Sequence, residues 1–182
     1  MILVVDMNSS ENPFGFQEFV LPIISIAEEL EKCVVRHYLE VNKERLDDYD
    51  KIILSGSALM DTVTLNQTAQ FIWLKNSDKP ILGICAGMQT IGLVYGGRLK
   101  RCSEIGMTEI ATSEDNILFT STFKVYALHN YALVPPIEFT VLAKSSSCVH
   151  AIRHRHKDIY GVLFHPEVRN KEVIQWFIQA FP

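Results

Sequence analysis

Several features are scarce in this 182-residue chain, and each scarcity excludes a class of protein. Seven prolines and nine glycines are too few for a low-complexity or disordered chain. No apolar run approaches the roughly 20 residues that a membrane span needs, and the N-terminus has neither a basic region nor an apolar stretch of signal-peptide length. We therefore expect one cytoplasmic domain over residues 1–182, with no membrane partner.

Positive charge and paired cysteines are also scarce. The net charge is −4, and the short basic run at residues 153–157 has no interleaved aromatic side chain, so we expect no nucleic-acid partner. The four cysteines, at positions 33, 85, 102 and 148, include no CxxC pair. In a reducing compartment they should be free thiols, and each one either fills the core or carries chemistry.

The hydrophobic pattern predicts an α/β fold. Continuous apolar runs at residues 2–5 and 52–54 are typical of strands buried on both faces, and helical spacing recurs near residues 19–30 and 66–76. We expect an open, mostly parallel, doubly wound sheet flanked by helices. After Gly97 the strands become shorter and more polar, which predicts an additional small antiparallel sheet in the C-terminal half, followed by an amphipathic helix over residues 171–181.

The most informative motif is Gly-Ile-Cys-Ala-Gly at residues 83–87. It places Cys85 between a predicted strand and a predicted helix, with glycines two residues before and two residues after, which is the spacing of a nucleophile elbow. A thiol at a helix N-terminus is favoured as thiolate by the helix dipole and the unpaired N–H groups. The same N–H groups, that of Ala86 first, can hold an oxyanion.

A partner base for this thiol is present in Phe-His-Pro-Glu at residues 164–167. His165 follows an apolar strand, and Glu167 lies two residues further on. A histidine can accept the thiol proton, and a carboxylate can orient the imidazole and stabilise its cation. The two motifs together favour a catalytic role for Cys85 over a role as a buried packing residue.

These motifs, with Lys-Ile-Ile-Leu-Ser-Gly at residues 51–56, resemble the class I, or triad, glutamine amidotransferases over nearly the whole chain. The resemblance implies that Cys85 is the nucleophile, His165 the general base and then acid, and Glu167 the third member of the triad. It also implies that the substrate is glutamine and that no cofactor is needed.

The resemblance extends to further positions around the triad. Ser57 and Ala86 are implied as backbone donors of the oxyanion hole, although Gly-Ser-Ala stands at residues 56–58 where the family has a Gly-Gly-Pro-like turn. A side chain at Ser57 is a cost if that turn needs a positive φ. Gln89 matches a glutamine that helps to bind the substrate, and Asn130 and Tyr131 match a substrate loop whose backbone holds the α-amino and α-carboxylate groups.

Within the family, residues 146–168 resemble the separate glutaminase subunits of archaeal-type GMP synthases. The length leaves no room for a synthetase domain, so we expect a hetero-oligomer in which ammonia passes to a partner synthetase subunit. Tyr131 replaces an aspartate usual in that branch, and residues 168–173 lack its usual continuation. Alternatives are the glutaminase subunit of anthranilate or aminodeoxychorismate synthase, a regulatory module with weakened catalysis, and a hydrolase of γ-glutamyl compounds.

One other set of residues has metal-binding chemistry. Cys148, His150, His154 and His156 fall at even spacing, so on one strand they share a face. Structural zinc sites usually carry close paired ligands from two turns, which this segment lacks. The sequence therefore favours a hairpin with polar residues on its solvent side, and we expect no metal ligand.

Overall fold

The computed structural model describes residues 1–10, 14–119 and 121–181. In these ranges nine strands form one sheet in the order β2-β1-β3-β4-β9-β8-β7-β5-β6. The strands are β1 Ile2–Asp6, β2 Cys33–His37, β3 Lys51–Leu54, β4 Ile81–Ile84, β5 Arg98–Thr112, β6 Phe123–Val134, β7 Phe139–Lys144, β8 Val149–His154 and β9 Ile159–Val162.

In the same ranges, four α-helices accompany the sheet: α1 Leu21–Ala27, α2 Trp73–Asn76, α3 Ala86–Val94 and α4 Glu172–Ala180. A π-helical turn, Phe16–Val20, leads into α1, and short 3₁₀ turns cover Val41–Lys43, Leu46–Asp48, Thr64–Asn66 and Thr68–Phe71. None of the helices in the described ranges is long and apolar enough to cross a bilayer.

The predicted fold class is confirmed. Strands β2, β1, β3, β4 and β9 are parallel neighbours, and β8, β7, β5 and β6 are antiparallel. The antiparallel strands continue the parallel sheet, because β8 pairs directly with β9. The helix expected near residues 66–76 is broken into two 3₁₀ turns and the four-residue α2. Asn66 and Thr68 interrupt it, since such side chains compete for backbone hydrogen bonds.

The sheet separates two apolar cores. Alternate residues of β1, β3 and β4 point to opposite faces, so Ile2, Ile53 and Leu82 join one core while Leu3 and Ile52 join the other. Helices α1 and α4 contribute to the first core and α3 to the second. Helices therefore cover both faces of the parallel strands, as in a doubly wound fold.

This topology decides where chemistry is placed. Strands β3, β4 and β9 are parallel neighbours with β4 in the middle. The carboxyl ends of parallel strands meet at one edge of the sheet, which is where α/β proteins bind ligands. Gly56, Cys85 and His165 each follow one of these three strands within three residues, so they lie together at that edge.

Candidate active site

Cys85 occupies the turn between β4 and α3 in a strained backbone conformation. Its φ is +48° and its ψ is −103°, and it is the residue immediately before the first residue of α3. Its N–H donates to the carbonyl of Val162 at 2.7 Å, which fixes the turn to the neighbouring strand β9. A positive φ at a residue with a Cβ costs of the order of 1–3 kcal/mol and is concentrated at functional sites.

The elbow spacing predicts that the glycines on either side of Cys85 permit a tight, strained turn, but in the structure they have a different role. Neither is among the described residues with positive φ, so the strain lies on Cys85 itself. A Cβ added to Gly83 would lie 2.6 Å from Cδ1 of Ile91, and one added to Gly87 would lie 2.7 Å from the carbonyl oxygen of Leu54. Both glycines therefore allow α3 to pack closely on β3 and β4.

We expect the free energy of unfolding of Cys85→Gly to exceed that of Cys85→Ala by about 1 kcal/mol, because glycine adopts a positive φ without a steric cost. Urea denaturation of the two variants measures the difference. The matched pair is Cys33→Gly and Cys33→Ala in β2, where we expect the opposite order, since glycine weakens a strand. Equal stability of the two Cys85 variants would contradict the strain.

His165 and Glu167 form a buried pair beside the elbow. Nδ1 of His165 lies 2.7 Å from Oε1 of Glu167, and both side chains are fully buried. An ionised carboxylate only accepts hydrogen bonds, so this contact places the imidazole hydrogen on Nδ1 and leaves Nε2 for the thiol. His165 is anchored through its N–H, which donates to the carbonyl of Tyr126 at 2.9 Å.

Two opposing effects act on the imidazole of His165. Burial by itself lowers its pKa, because the charged ring loses solvation. The Cys85 thiol and the Glu167 carboxylate act in the other direction and raise this pKa well above the ordinary value of 6.5. His165 therefore favours the protonated form.

A narrow cleft opens over Cys85. The predicted site residues on its wall are Ser57, Cys85, Ala86, Gln89, Asn130 and Tyr131. The thiol of Cys85 donates to the carbonyl of Leu128 at 3.6 Å, so the cleft floor lies between β6 and the elbow. His165 and Glu167 are behind the sulfur in the protein interior.

The two predicted oxyanion donors are available in this cleft. Within the described residues, neither the Ser57 N–H nor the Ala86 N–H donates to a backbone carbonyl. The backbone of Ser57 does not have a positive φ, so its Cβ costs nothing in this turn. The Ser57 hydroxyl instead donates to the carbonyl of Asp61 at 3.1 Å. The serine side chain thus holds the turn, and its amide is left for a ligand.

We expect Ser57→Ala to hydrolyse glutamine at close to the wild-type rate, because the backbone N–H is unchanged. The lost hydroxyl bond should lower the free energy of unfolding by about 1 kcal/mol. Steady-state kinetics and urea denaturation check the two parts, with the exposed Ser147→Ala as the control. A rate loss of about 10²-fold or more would mean that the hydroxyl itself contacts the developing oxyanion.

The predicted substrate segment is a strand and not a loop. Residues 128–134 lie in β6, but β5 has a bulge opposite them: Arg101 pairs with Tyr131, Glu104 pairs with His129, and Asn130 has no paired residue in this register. The bulge on β5 interrupts the regular ladder beside Asn130 at the cleft wall. Its side-chain oxygen accepts from the Ser103 hydroxyl at 3.0 Å.

Gln89 joins helix α3 to this wall. Its side-chain amide donates to the carbonyl of Tyr131 at 2.6 Å, and the residue is buried. In this structure Gln89 therefore holds β6 in place over the nucleophile. Gln89 also lines the cleft, and its contact with the substrate stays a prediction.

Some residues of the site were not singled out from sequence. Gly56 lies against the His165 ring, where an added Cβ would be 2.7 Å from Cε1, and the Phe19 ring lies 5.5 Å from the same imidazole. The Leu-Ser-Gly ending of β3 signals Gly56, whereas nothing in the sequence signals Phe19. His129, for which the sequence favours a structural role over contact with a partner, lines the cleft and is buried, with Nδ1 3.0 Å from the carbonyl of Cys102.

The evenly spaced set of one cysteine and three histidines does not stay together. Cys148, His150 and His154 are buried, so the expected solvent-facing hairpin is wrong for these three. Nδ1 of His154 accepts from the N–H groups of His156 and Lys157 and closes a tight turn. Cys148 and His150 instead face Glu104 and His129.

The chain matches a known protein family over most of its length. The sequence model of the family "Glutamine amidotransferase class-I" matches residues 22–181, which is most of the chain. This chain belongs to the class-I glutamine amidotransferase family.

Several relatives of this amidotransferase are archaeal subunits named "GMP synthase [glutamine-hydrolyzing]". This amidotransferase is 36% identical over 137 residues to the subunit of Saccharolobus solfataricus, and the match covers 71% of this chain and 73% of the relative. The subunit with the same name from Methanococcus aeolicus is 43% identical over 104 residues, which is 53% of this chain and 55% of the relative. The match spans less than two thirds of that relative's length.

Among solved structures, the amidotransferase resembles the crystal structure of a protein from Thermoplasma acidophilum that is described as a proposed GMP synthase subunit. The TM-score is 0.84 at 26% identity, and the alignment covers 98% of this chain and 92% of the other. The two proteins therefore share their fold over nearly the whole chain.

Proposed function

We propose that this chain is the glutamine-hydrolysing subunit of a two-chain amidotransferase, and that it supplies ammonia to a partner synthetase of the GMP synthase type. One observation carries the proposal: a strained cysteine at a helix N-terminus lines a cleft and lies beside a buried His165–Glu167 pair. The names of the archaeal relatives support the choice of synthetase.

The first half of the reaction uses the elbow and the cleft. The thiolate of Cys85 attacks the carbon of the glutamine side-chain amide, and the new C–S bond places negative charge on the amide oxygen. The backbone N–H groups of Ser57 and Ala86 donate to this oxyanion. His165 then gives its proton to the amide nitrogen, and the C–N bond breaks. Ammonia departs, and a γ-glutamyl thioester remains on Cys85.

The second half returns the enzyme to its starting state. Neutral His165 removes a proton from water, and the resulting hydroxide attacks the thioester carbon. Collapse of the second tetrahedral intermediate breaks the C–S bond, releases glutamate and restores the thiolate beside the imidazolium. Glu167 stabilises this cation in both halves and keeps the ring in one orientation.

The test of this proposal combines hydrolysis with partner capture. We expect the purified chain to release glutamate from glutamine slowly, to do so faster with the partner, and to retain a synthetase from a lysate of its source cell. Glutamine-dependent GMP formation by the reconstituted pair identifies the acceptor. Hydrolysis that stays undetectable with the captured partner present would overturn the proposal.

The alternatives give different results in the same experiment. Capture of an anthranilate or aminodeoxychorismate synthase component would reassign the acceptor while keeping the chemistry. Turnover of γ-glutamyl compounds without stimulation by any partner would indicate a free-standing hydrolase. A protein that binds its partner but does not react with a glutamine-like diazo-ketone would be a regulatory module.

A further inference from the structure

Four side chains that the proposed mechanism does not use meet in one buried cluster: Glu104, His129, Cys148 and His150, called here the Glu104 cluster. Each offers one metal-ligand atom, and these four atoms all lie within 4.8 Å of one another. Glu104 is on β5, His129 on β6, and His150 on β8, with Cys148 directly before that strand. We propose that the Glu104 cluster binds one zinc ion.

The three distances from the Glu104 carboxylate to the other ligand atoms can be compared with those around a tetrahedral zinc ion. Oε2 of Glu104 lies 3.2 Å from Nε2 of His129, 2.6 Å from Nε2 of His150 and 3.3 Å from Sγ of Cys148. Bonds of about 2.0–2.3 Å to a tetrahedral zinc place ligand atoms roughly 3.3–3.7 Å apart. Two of the three separations are already close to this range, and only the His150 edge must lengthen appreciably.

Glu104 forms hydrogen bonds with His150 and Cys148, but not every polar atom of the cluster has a partner. Nε2 of His129 is buried and has no hydrogen-bond partner among the described residues, although it lies 3.2 Å from the carboxylate. Nδ1 of the same ring lies 3.0 Å from the carbonyl of Cys102, a contact that places the hydrogen on Nδ1. In the neutral ring, the Nε2 lone pair of His129 then faces the Glu104 carboxylate oxygen, and the two electron-rich atoms repel each other. A cation between these two atoms removes that repulsion. A backbone carbonyl on the other nitrogen is also the usual support of a zinc-bound histidine.

Charge and ligand type select the metal. One carboxylate, one thiolate and two neutral imidazoles carry two negative charges in total, which a divalent ion neutralises, so that the buried site has no net charge. The thiol of Cys148 releases its proton to solvent when the sulfur binds. A mixed set of sulfur, nitrogen and oxygen ligands in tetrahedral arrangement is typical of zinc.

The local fold explains why the ligands converge. Cys148 and His150 are two residues apart and point to the same face. Glu104 and His129 are paired directly across β5 and β6, next to the bulge that contains Cys102, whose carbonyl contacts His129. A zinc ion here would tie three strands together behind the cleft wall formed by Asn130 and Tyr131, so its role is structural.

The test measures metal binding, so its failure is separate from failure of the glutaminase proposal. The full chain is stripped with a chelator, dialysed against micromolar ZnCl₂ and analysed by plasma mass spectrometry. We expect one zinc per chain, with affinity reduced at least about 100-fold in Cys148→Ser and His150→Gln. Cys33→Ser and the exposed His156→Gln are matched controls outside the cluster and should retain the ion.

Cobalt substitution keeps the proposal testable even if a cluster variant fails to fold. Wild-type chain loaded with CoCl₂ should show a thiolate-to-cobalt charge-transfer absorption and the intense visible bands of tetrahedral cobalt. Circular dichroism shows which variants are folded. Substoichiometric zinc in the wild type, absence of the thiolate band, or zinc binding that survives in folded Cys148→Ser would each overturn the proposal and leave a hydrogen-bonded cluster without metal.

Discussion

Cys85→Ala is expected to lower the rate of glutamine hydrolysis by about 10⁴-fold or more, to the level of the background reaction. The sulfur forms the covalent bond to the substrate in the proposed mechanism, and Cys85 is the only thiol among the described residues that line the cleft. Removing it eliminates the thioester route and does not merely weaken a contact. Glutamate release, followed with and without the partner synthetase, measures the effect.

Covalent labelling separates this loss from a general defect of the fold. A glutamine-like diazo-ketone should add once per wild-type chain, at Cys85, and should not add to Cys85→Ala. The control is Cys33→Ala, which removes a partly exposed thiol from β2 and should keep both labelling and hydrolysis. Hydrolysis by Cys85→Ala at the wild-type rate would contradict the assignment of the nucleophile.

The parallel half of the fold could be predicted because its signals are local. Continuous apolar runs mark β1 and β3 as strands with both faces buried, and the structure places alternate residues of each in two different cores. The elbow spacing and the Phe-His-Pro-Glu segment follow β4 and β9, and parallel pairing of those two strands brings Cys85 and His165 together. In this half of the fold, the order of the strands decides which site residues lie next to each other.

The antiparallel half could be predicted only in outline, because its details depend on register. The bulge opposite Asn130 and the pairing of Glu104 with His129 are set by how β5 lies against β6, and the composition of neither strand encodes that alignment. For the same reason, even spacing groups Cys148 with the histidines of its own segment, whereas the structure places Cys148 and His150 against residues of β5 and β6. Cross-strand contacts, more than local pattern, decide which polar residues meet.

The backbone strain of this site lies on the proposed nucleophile, Cys85. The glycines near Cys85 relieve steric crowding between α3 and the sheet, but the unfavourable φ remains on the cysteine. That conformation projects the sulfur into the cleft at the N-terminus of α3, and the N–H of Cys85, bonded to Val162, keeps it there. The tightly packed core around the turn therefore holds a geometry that the residue would not adopt alone.

Glu167→Gln is expected to lower kcat/KM for glutamine by about 10⁴-fold, the loss seen for the third member of hydrolase triads. The side-chain amide oxygen introduced at position 167 can still accept a hydrogen bond from Nδ1 of His165, so the ring keeps its orientation. The negative charge of the carboxylate, however, is lost. The carboxylate is one of the groups that raise the pKa of His165 against the effect of burial. Without it the pKa of His165 should fall, and less imidazolium is available to protonate the leaving ammonia.

Two measurements distinguish this electrostatic role from simple packing. Nuclear magnetic resonance of the His165 ring should show its titration at lower pH in Glu167→Gln than in the wild type, while the folded spectrum is otherwise preserved. The control is Glu109→Gln on the exposed face of β5, which should change neither the titration nor the rate. If Glu167→Gln kept the rate within a few-fold and left the pKa of His165 in place, the pair would only anchor the turn, and stabilisation of the cation would have to come from Cys85 alone.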